Sequence, residues 1–219
     1  MSEALRKVPS HEVTYTRLRD MILYGHLTPG QPVTIQGLTA DLGAGMTPVR
    51  EAIRRLATEG ALLPQGNRRV SVPRLTASDL DQIAFARLAI EPRLALLAAD
   101  HASQLLLAKL EELDAEVDRT VAAGDVSGYL ASNHAFHFAL YGVAGAGVLL
   151  DMAQSLWLRF GPSLRVVTQL SGRASLPESH KDILTALRRG DGAGAAGAMT
   201  RDIELGLGHV REAISANTL

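Results

Sequence analysis

The sequence predicts a mainly α protein in two parts: three short helices with a small β-hairpin over residues 1–74, then an all-helical bundle over residues 75–219. Three observations lead there. Apolar residues recur at helical spacing through most of the chain, and strand-like alternation is confined to a few residues around Val70. The charge is also divided, with ten Lys and Arg against six Asp and Glu in residues 1–75 and twelve against seventeen in the remainder. The first part suits a polyanion and the second does not.

Taken in order, Tyr15, Leu18 and Ile22 lie at helical spacing within residues 11–26, and Leu27-Thr28-Pro29-Gly30 places Pro and Gly as a type II turn requires. Thr34 is placed to cap a short helix in which Ile35, Leu38 and Leu42 share a face, and Gly43 suits the left-handed residue that stops it. Within Gly45-Met46-Thr47-Pro48-Val49-Arg50-Glu51-Ala52-Ile53-Arg54-Arg55-Leu56, Thr47 reads as the N-cap of a third helix, with Pro48 in the first position, where a missing N–H costs nothing. Val49, Ala52, Ile53, Leu56 and Ala57 form its apolar stripe, and Arg50 and Arg54 share a flank of its exposed face. After Gly60, the segment Leu62-Leu63-Pro64, a polar turn at Gln65-Gly66-Asn67 and the alternating Arg68-Arg69-Val70-Ser71-Val72 predict a hairpin. This is the order of a winged helix-turn-helix, whose second helix of the pair enters the major groove of double-stranded DNA while the wing follows the backbone.

Residues 73–77 read as a linker, and Thr76 with Asp79 forms a capping-box start for the next helix. Helical periodicity then recurs over residues 79–100, 103–123, 125–142, 147–170, 176–189 and 191–216, punctuated by Gly124, Gly142, Gly145, Gly147, Gly172 and Gly190. The Ala/Gly-rich residues 191–199 have low helix propensity at their glycines, but their small size permits close helix packing.

Composition narrows the chemistry. The chain has no cysteine, which excludes disulfides, thiolate metal sites and a cysteine nucleophile, so any metal must use His, Asp, Glu or Asn. No run of eighteen apolar residues occurs, and the first thirty residues carry charges where a signal peptide needs an apolar stretch, which points to the cytoplasm and away from a membrane.

Tyr15, Leu18-Arg19, Ile22-Leu23, Gly25, Leu27 and Pro29-Gly30, then Leu38 and Asp41-Leu42-Gly43, then Thr47-Pro48-Val49-Arg50-Glu51-Ala52-Ile53, Leu56 and Glu59-Gly60 together resemble the DNA-binding domain of GntR-family transcriptional regulators. The remainder resembles the helical FCD effector domain of the FadR-type branch at Arg87-Leu88-Ala89-Ile90-Glu91, at Asn133, Phe136 and His137, and at His180, Ile183-Leu184, Leu187, Gly190-Asp191, Ala195 and Met199. The resemblance implies a homodimeric, ligand-responsive regulator, most often a repressor, that binds operator DNA, holds a divalent metal ion in its bundle and takes a small carboxylate effector.

For the DNA, Arg50 and Arg54 offer paired donors to guanine, Thr47 stands at the helix N-terminus near a phosphate or base, and Arg68 and Arg69 are placed to grip phosphates from the wing. The chain departs from the family just before Thr47, where Gly45 and Met46 replace a common serine and arginine, and in the wing, where Arg69 replaces a common glycine. Met46 cannot donate a hydrogen bond, so an altered operator is expected.

In the bundle, Asn133 and His137 lie one turn apart on one helical face, as two metal ligands would, or as a core histidine with its hydrogen-bond partner. The resemblance adds His180, and Asp202 where the family carries a further histidine, giving a set of Asn133, His137, His180 and Asp202. Such nitrogen and oxygen donors suit Zn, Ni or Mn. His134 lies about 100° round the helix from Asn133. Arg87 matches the family's effector-binding arginine and equally fits an i,i+4 ion pair with Glu91; Arg159 and Arg165 are further candidates, and Gly147 stands where the family has an asparagine. With a bound water the same set would resemble a hydrolytic centre, but no general base stands beside it and residues 1–72 would go unexplained, so an enzyme is not expected. A helical interaction protein with a DNA domain that no longer reads is the other alternative.

Overall fold

The computed structural model describes residues 10–171 and 179–218. Helix α1 (Ser10–Leu23) leads through the Pro29-Gly30 turn to strand β1 (Pro32–Thr34), then α2 (Ile35–Leu42), α3 (Met46–Thr58) and the hairpin β2 (Leu63–Gln65) and β3 (Arg69–Ser71). The strands form an antiparallel sheet in the order β1-β3-β2, with Val70 opposite both Val33 and Pro64. Strand β1 was not foreseen, because three residues are too few to display alternation. Thr34 caps α2 by accepting from the Gly37 N–H at 2.9 Å, and Gly43 ends it with φ 57°.

Thr47 does not cap α3. The helix begins two residues earlier than expected, at Met46, and its N-cap is Gly45, which has an extended backbone and no side chain to offer. Pro48 therefore sits third rather than first, still within the opening turn, whose N–H groups have no intrahelical acceptor. The first intrahelical bond runs from the Val49 N–H to the Gly45 carbonyl.

Among the described residues six further helices follow: α4 (Ala77–Ala99), α5 (Gln104–Ala123), α6 (Val126–Tyr141), α7 (Gly147–Ser171), α8 (His180–Arg188) and α9 (Gly192–Ser215). Their bounds follow the predicted periodicity within a few residues, except that Ser179 lies outside α8 and residues 176–178 are outside the described residues. The Thr76–Asp79 capping box opens α4, with both reciprocal hydrogen bonds present. The Ala/Gly-rich start of α9 is helical. Asp191 caps it, and α9 lies along α4 so closely that a Cβ on Gly192 would stand 3.2 Å from the Leu96 carbonyl oxygen.

Two apolar cores result. One fills the bundle with Leu80, Leu94, Leu110, Phe136, Leu140, Ile183, Met199 and Leu207. The other joins Leu18, Ile22, Leu38, Leu42, Val49, Leu56 and Leu62, and is completed by Trp157 and Leu158 of α7. Helix α7 thus belongs to both halves of the molecule. Among the described residues no helix is long and apolar enough to cross a membrane.

Candidate nucleic-acid interface and metal centre

The apolar stripe of α3 buries Val49, Ala52, Ile53 and Leu56 against α1 and α2, which leaves Met46, Thr47, Arg50 and Arg54 exposed. Arg54 lies 2.9 Å from Glu51, one turn back on the surface, a contact weak enough to be exchanged for another anion. Arg55 is differently employed. Its guanidinium lies 3.7 Å over the Tyr15 ring and 3.1 Å from Glu59, and the Tyr15 hydroxyl donates to Glu59 at 2.8 Å. Burial, then the Glu59 carboxylate, pushes the Tyr15 hydroxyl up to about 12, so this cluster pins α3 to α1 as neutral phenol, cation and anion. In the wing, Asn67 and Arg68 make the turn with φ 61° and 59°, and the exposed Arg68 and Arg69 stand at its tip.

The bundle brings Arg87, Asn133, His137 and Asp202 into one cavity of about 30 Å³, room for an ion or about two waters. Its lining includes Arg87 from α4, Asn133 and His137 from α6, Trp157 from α7 and Asp202 and His209 from α9. His180, the first residue of α8, points its Nε2 at the Nε2 of His137, 3.4 Å away, and the Asp202 Oδ2 lies 3.2 Å from that same His137 atom. Each histidine is held from behind: His137 Nδ1 lies 3.1 Å from the Tyr141 hydroxyl, and His180 Nδ1 lies 3.3 Å from the Asp114 carboxylate of α5. Asp114 is in turn held below the ordinary carboxylate range, first by His180 and against the effect of burial. Asn133 is buried in the cavity wall, but His137 takes Tyr141 and Asp202 as partners rather than Asn133.

Burial pushes the His137 imidazole down more strongly than Asp202 raises it, so it is neutral. Burial also opposes the Asp202 charge, but His137, His180 and the Ser179 N–H at 3.0 Å outweigh it and hold the carboxyl well below its usual range. The cluster therefore sets an ionised Asp202 carboxylate against a neutral His137 imidazole.

Arg87 makes the ion pair that its spacing allowed. Only 3% exposed, it meets the fully buried Glu91 at 2.5 and 3.1 Å, and its guanidinium lies over the rings of Trp157 and Phe160. Burial works against its charge, but Glu91 prevails and raises its pKa. It is also a cavity residue, so the two readings of Arg87 are compatible. Arg159 and Arg165 are not among the cavity-lining residues: Arg159 Nε donates to the Glu59 carbonyl at 3.1 Å, and Arg165 donates to Ser127. Arg159 lies beside Gly60 at the end of α3, and Arg165 lies between Gly25 and the start of α6. His134 is likewise no ligand. It stacks on Phe138 and meets the edges of Trp157 and Tyr24, where burial lowers it to about 3.

Comparison with known proteins decides the family. Residues 11–72 match the family model of bacterial regulatory proteins, gntR family, and residues 82–205 match the FCD domain. The chain belongs to the GntR family. The HTH-type transcriptional regulator McbR of Escherichia coli (strain K12) is 30% identical over 180 residues, 81% of each chain. A probable D-xylose utilization operon transcriptional repressor of Paenarthrobacter nicotinovorans is 29% identical over 208 residues, covering 92% of this chain and 90% of that one. The solved structure of E. coli McbR/YncC superposes with a TM-score of 0.88 at 26% identity, covering 94% of this chain and 99% of that one. This GntR-family protein is a DNA-binding transcriptional regulator and not an enzyme.

The donor set of this GntR-family regulator fits a metal ion. Ligands about 2.1 Å from one ion lie roughly 3.0 to 3.4 Å apart at right-angled to tetrahedral geometry, and the donor separations of 3.2 and 3.4 Å fall there. His137, His180 and Asp202 each offer one ligand atom within 4.8 Å of the others. Sequence reasoning missed the residues that support this set. Tyr141 lies one turn beyond His137 and His209 two turns beyond Asp202, signals that were legible; nothing local marks Asp114 or Trp157.

Proposed function

We propose that this regulator is a cytoplasmic homodimer, acting as a repressor, with residues 1–74 reading operator DNA and residues 75–219 binding a small organic acid beside a divalent metal ion. The observation that carries the reading is that Arg87, Asn133, His137 and Asp202 line one cavity, with His180 beside His137, and that the α7 side chain Trp157 in its wall also packs into the core of the DNA-reading half. Two half-sites and one module per chain support the dimer, since a single module seldom gives operator-level specificity.

On the DNA, Arg50 and Arg54 read base edges from α3, Thr47 anchors its first turn, and Arg68 and Arg69 hold phosphates from the wing. In the cavity His137, His180 and Asp202 hold the metal, of the Zn, Ni or Mn class, with the Asn133 amide oxygen as a neutral fourth donor. When bound, the ion supplies the positive centre for a carboxylate oxygen. Arg87 keeps its charge beside it but shares that charge with Glu91, so the chain's own groups, Asp202, Glu91 and Arg87, sum to a single negative charge until the ion is present. At about 30 Å³ the cavity has room for the ion but not for an acid beside it, so entry of the acid moves the Leu205 and His209 side of α9.

Elemental analysis of the purified protein, followed by a thermal-shift screen of organic acids with and without metal, tests the pocket. About stoichiometric metal and a metal-dependent shift are expected, and a protein that takes up no divalent ion removes this part of the reading. Binding to its own upstream DNA should fall steeply with salt while retaining sequence preference. A flat salt dependence would remove the DNA assignments.

A further inference from the structure

Glu91 is fully buried, and its carboxylate serves three donors that belong to different tasks. Arg87 donates to Oε1 at 2.5 Å and to Oε2 at 3.1 Å, and Oε2 also accepts from the Tyr141 hydroxyl at 2.7 Å and from the Trp157 indole N–H at 2.9 Å. Tyr141 has one proton, and the carboxylate is a stronger acceptor than the Met199 sulfur at 3.1 Å. The Tyr141 oxygen is then left to accept from His137 Nδ1 once a cation takes the Nε2 lone pair; without one, a neutral His137 has a single N–H to place on either Tyr141 or Asp202.

Trp157 leads the other way. Its ring centroid lies 4.9 Å from that of His137 and 5.5 Å from that of His134, which meets Tyr24 just beyond α1. Its side chain belongs to the apolar core of the DNA-reading half. The same helix then contacts that half directly: Arg159 holds the Glu59 carbonyl, and Gly161 lies so near α1 that a Cβ there would stand 3.0 Å from the Leu23 carbonyl oxygen.

We propose that Glu91 is a positioning residue shared by the metal set and the DNA-reading half, aiming His137 through Tyr141 and holding α7 through Trp157, so that loading the set alters DNA affinity by way of Trp157. The inference rests on the metal reading of the cavity. Its physical basis is the shared oxygen. A cation on His137 Nε2 makes Nδ1–H a stronger donor, which polarises the Tyr141 hydroxyl and strengthens its bond to Oε2. Trp157 competes for that atom, so its hold on the bundle weakens as the hold of Tyr141 tightens.

The test uses the full chain as wild type, Tyr141→Phe and Trp157→Phe, with Zn²⁺ alone as the probe. Zn²⁺ affinity is measured by chelator competition, Co²⁺ absorption reports coordination geometry, and affinity for the upstream DNA is measured without metal and at saturating Zn²⁺. We expect Zn²⁺ to change wild-type DNA affinity by about 5- to 150-fold. Tyr141→Phe weakens Zn²⁺ binding about 10- to 100-fold and alters the Co²⁺ spectrum, and Trp157→Phe loses the DNA response at saturating Zn²⁺. Unchanged Zn²⁺ affinity in Tyr141→Phe, or a full DNA response in Trp157→Phe, overturns the proposal while leaving the metal reading intact. A wild type that binds no Zn²⁺, Ni²⁺ or Mn²⁺ overturns both.

Discussion

Neutralising one member of the Arg87–Glu91 pair should destabilise the protein far more than neutralising both. Arg87 is 3% exposed and Glu91 fully buried, so neither charge can recover its hydration when the other is removed. Glu91→Gln leaves a buried guanidinium without a counter-charge, a defect worth about 3–5 kcal/mol, while the new amide oxygen still accepts from Tyr141 and Trp157. Arg87→Met leaves Glu91 with those two donors only; it also forfeits the stacking over Trp157 and Phe160, worth roughly 0.5–2 kcal/mol. The double variant Arg87→Met/Glu91→Gln buries no charge and leaves neither indole N–H nor hydroxyl without an acceptor. Its cost should fall short of the sum of the singles by about 3 kcal/mol, a coupling large beside the roughly 0.5 kcal/mol scatter of independent sites. Urea unfolding of the four proteins at pH 7.5 measures the cycle. Singles that add to the double within that scatter would refute the claim that the two charges exist for each other.

Other consequences follow from single contacts. His134 has a folded-state value of about 3 against 6.5 when free, so its contribution to stability is fully present above about pH 6.5 and is lost as the pH falls toward 3, because the unfolded chain takes up the proton first. At pH 5 that loss is about 2 kcal/mol; His134→Phe should reduce the acid-side slope of stability by this much, and an identical slope in both proteins would contradict the burial argument. Gly60 has φ +76°, and a Cβ there would stand 2.6 Å from the Arg159 guanidinium that holds Glu59. Gly60→Ala should therefore cost about 1–3 kcal/mol in thermal unfolding, and a neutral substitution would show that this contact between the two halves is dispensable. On DNA, Arg50→Ala should remove about 1–3 kcal/mol of discrimination at one base position, whereas Arg68→Ala should weaken all sequences alike and lower the salt slope by about 1. Binding to a half-site series at several salt concentrations separates the two, and interchanged behaviour would reverse the assignment of helix and wing.

Much of the fold was legible because its helices are amphipathic and locally capped. Leu38 with Leu42, Leu106 with Leu110, and Thr76 with Asp79 are signals within one or two turns, and each element they predict is present. The N-terminus of α3 was misread for a local reason as well: Thr-Pro fits a cap followed by a first turn, and a helix that starts two residues earlier satisfies the same proline. Site residues on one helix were equally readable, as Arg87 with Glu91 shows. What periodicity does not encode is which helices meet. Glu91 reaches Tyr141 across 50 positions and Trp157 across 66, and Arg159 faces Glu59 across 100, so these partners emerged only from the packing of α4, α6 and α7.

The corrected start of α3 sharpens what Met46 should do. With Gly45 as N-cap, the N–H groups of Met46 and Thr47 have no intrahelical acceptor, and the Thr47 hydroxyl is not spent on capping. The first turn thus keeps its main-chain donors, and with them the positive end of the helix, for a phosphate. Met46, 41% exposed, adds nothing to this anchoring; its sulfur lies 3.8 Å from the Thr39 hydroxyl oxygen. The loss relative to an arginine therefore falls on a side-chain contact and not on the phosphate contact made by the main chain. Met46→Arg should change the preferred base at one half-site position, with a gain in non-specific affinity confined to the one added charge. A half-site library read at two salt concentrations distinguishes these, and a uniform gain across all sequences would mean that position 46 faces the backbone and the operator is unaltered there.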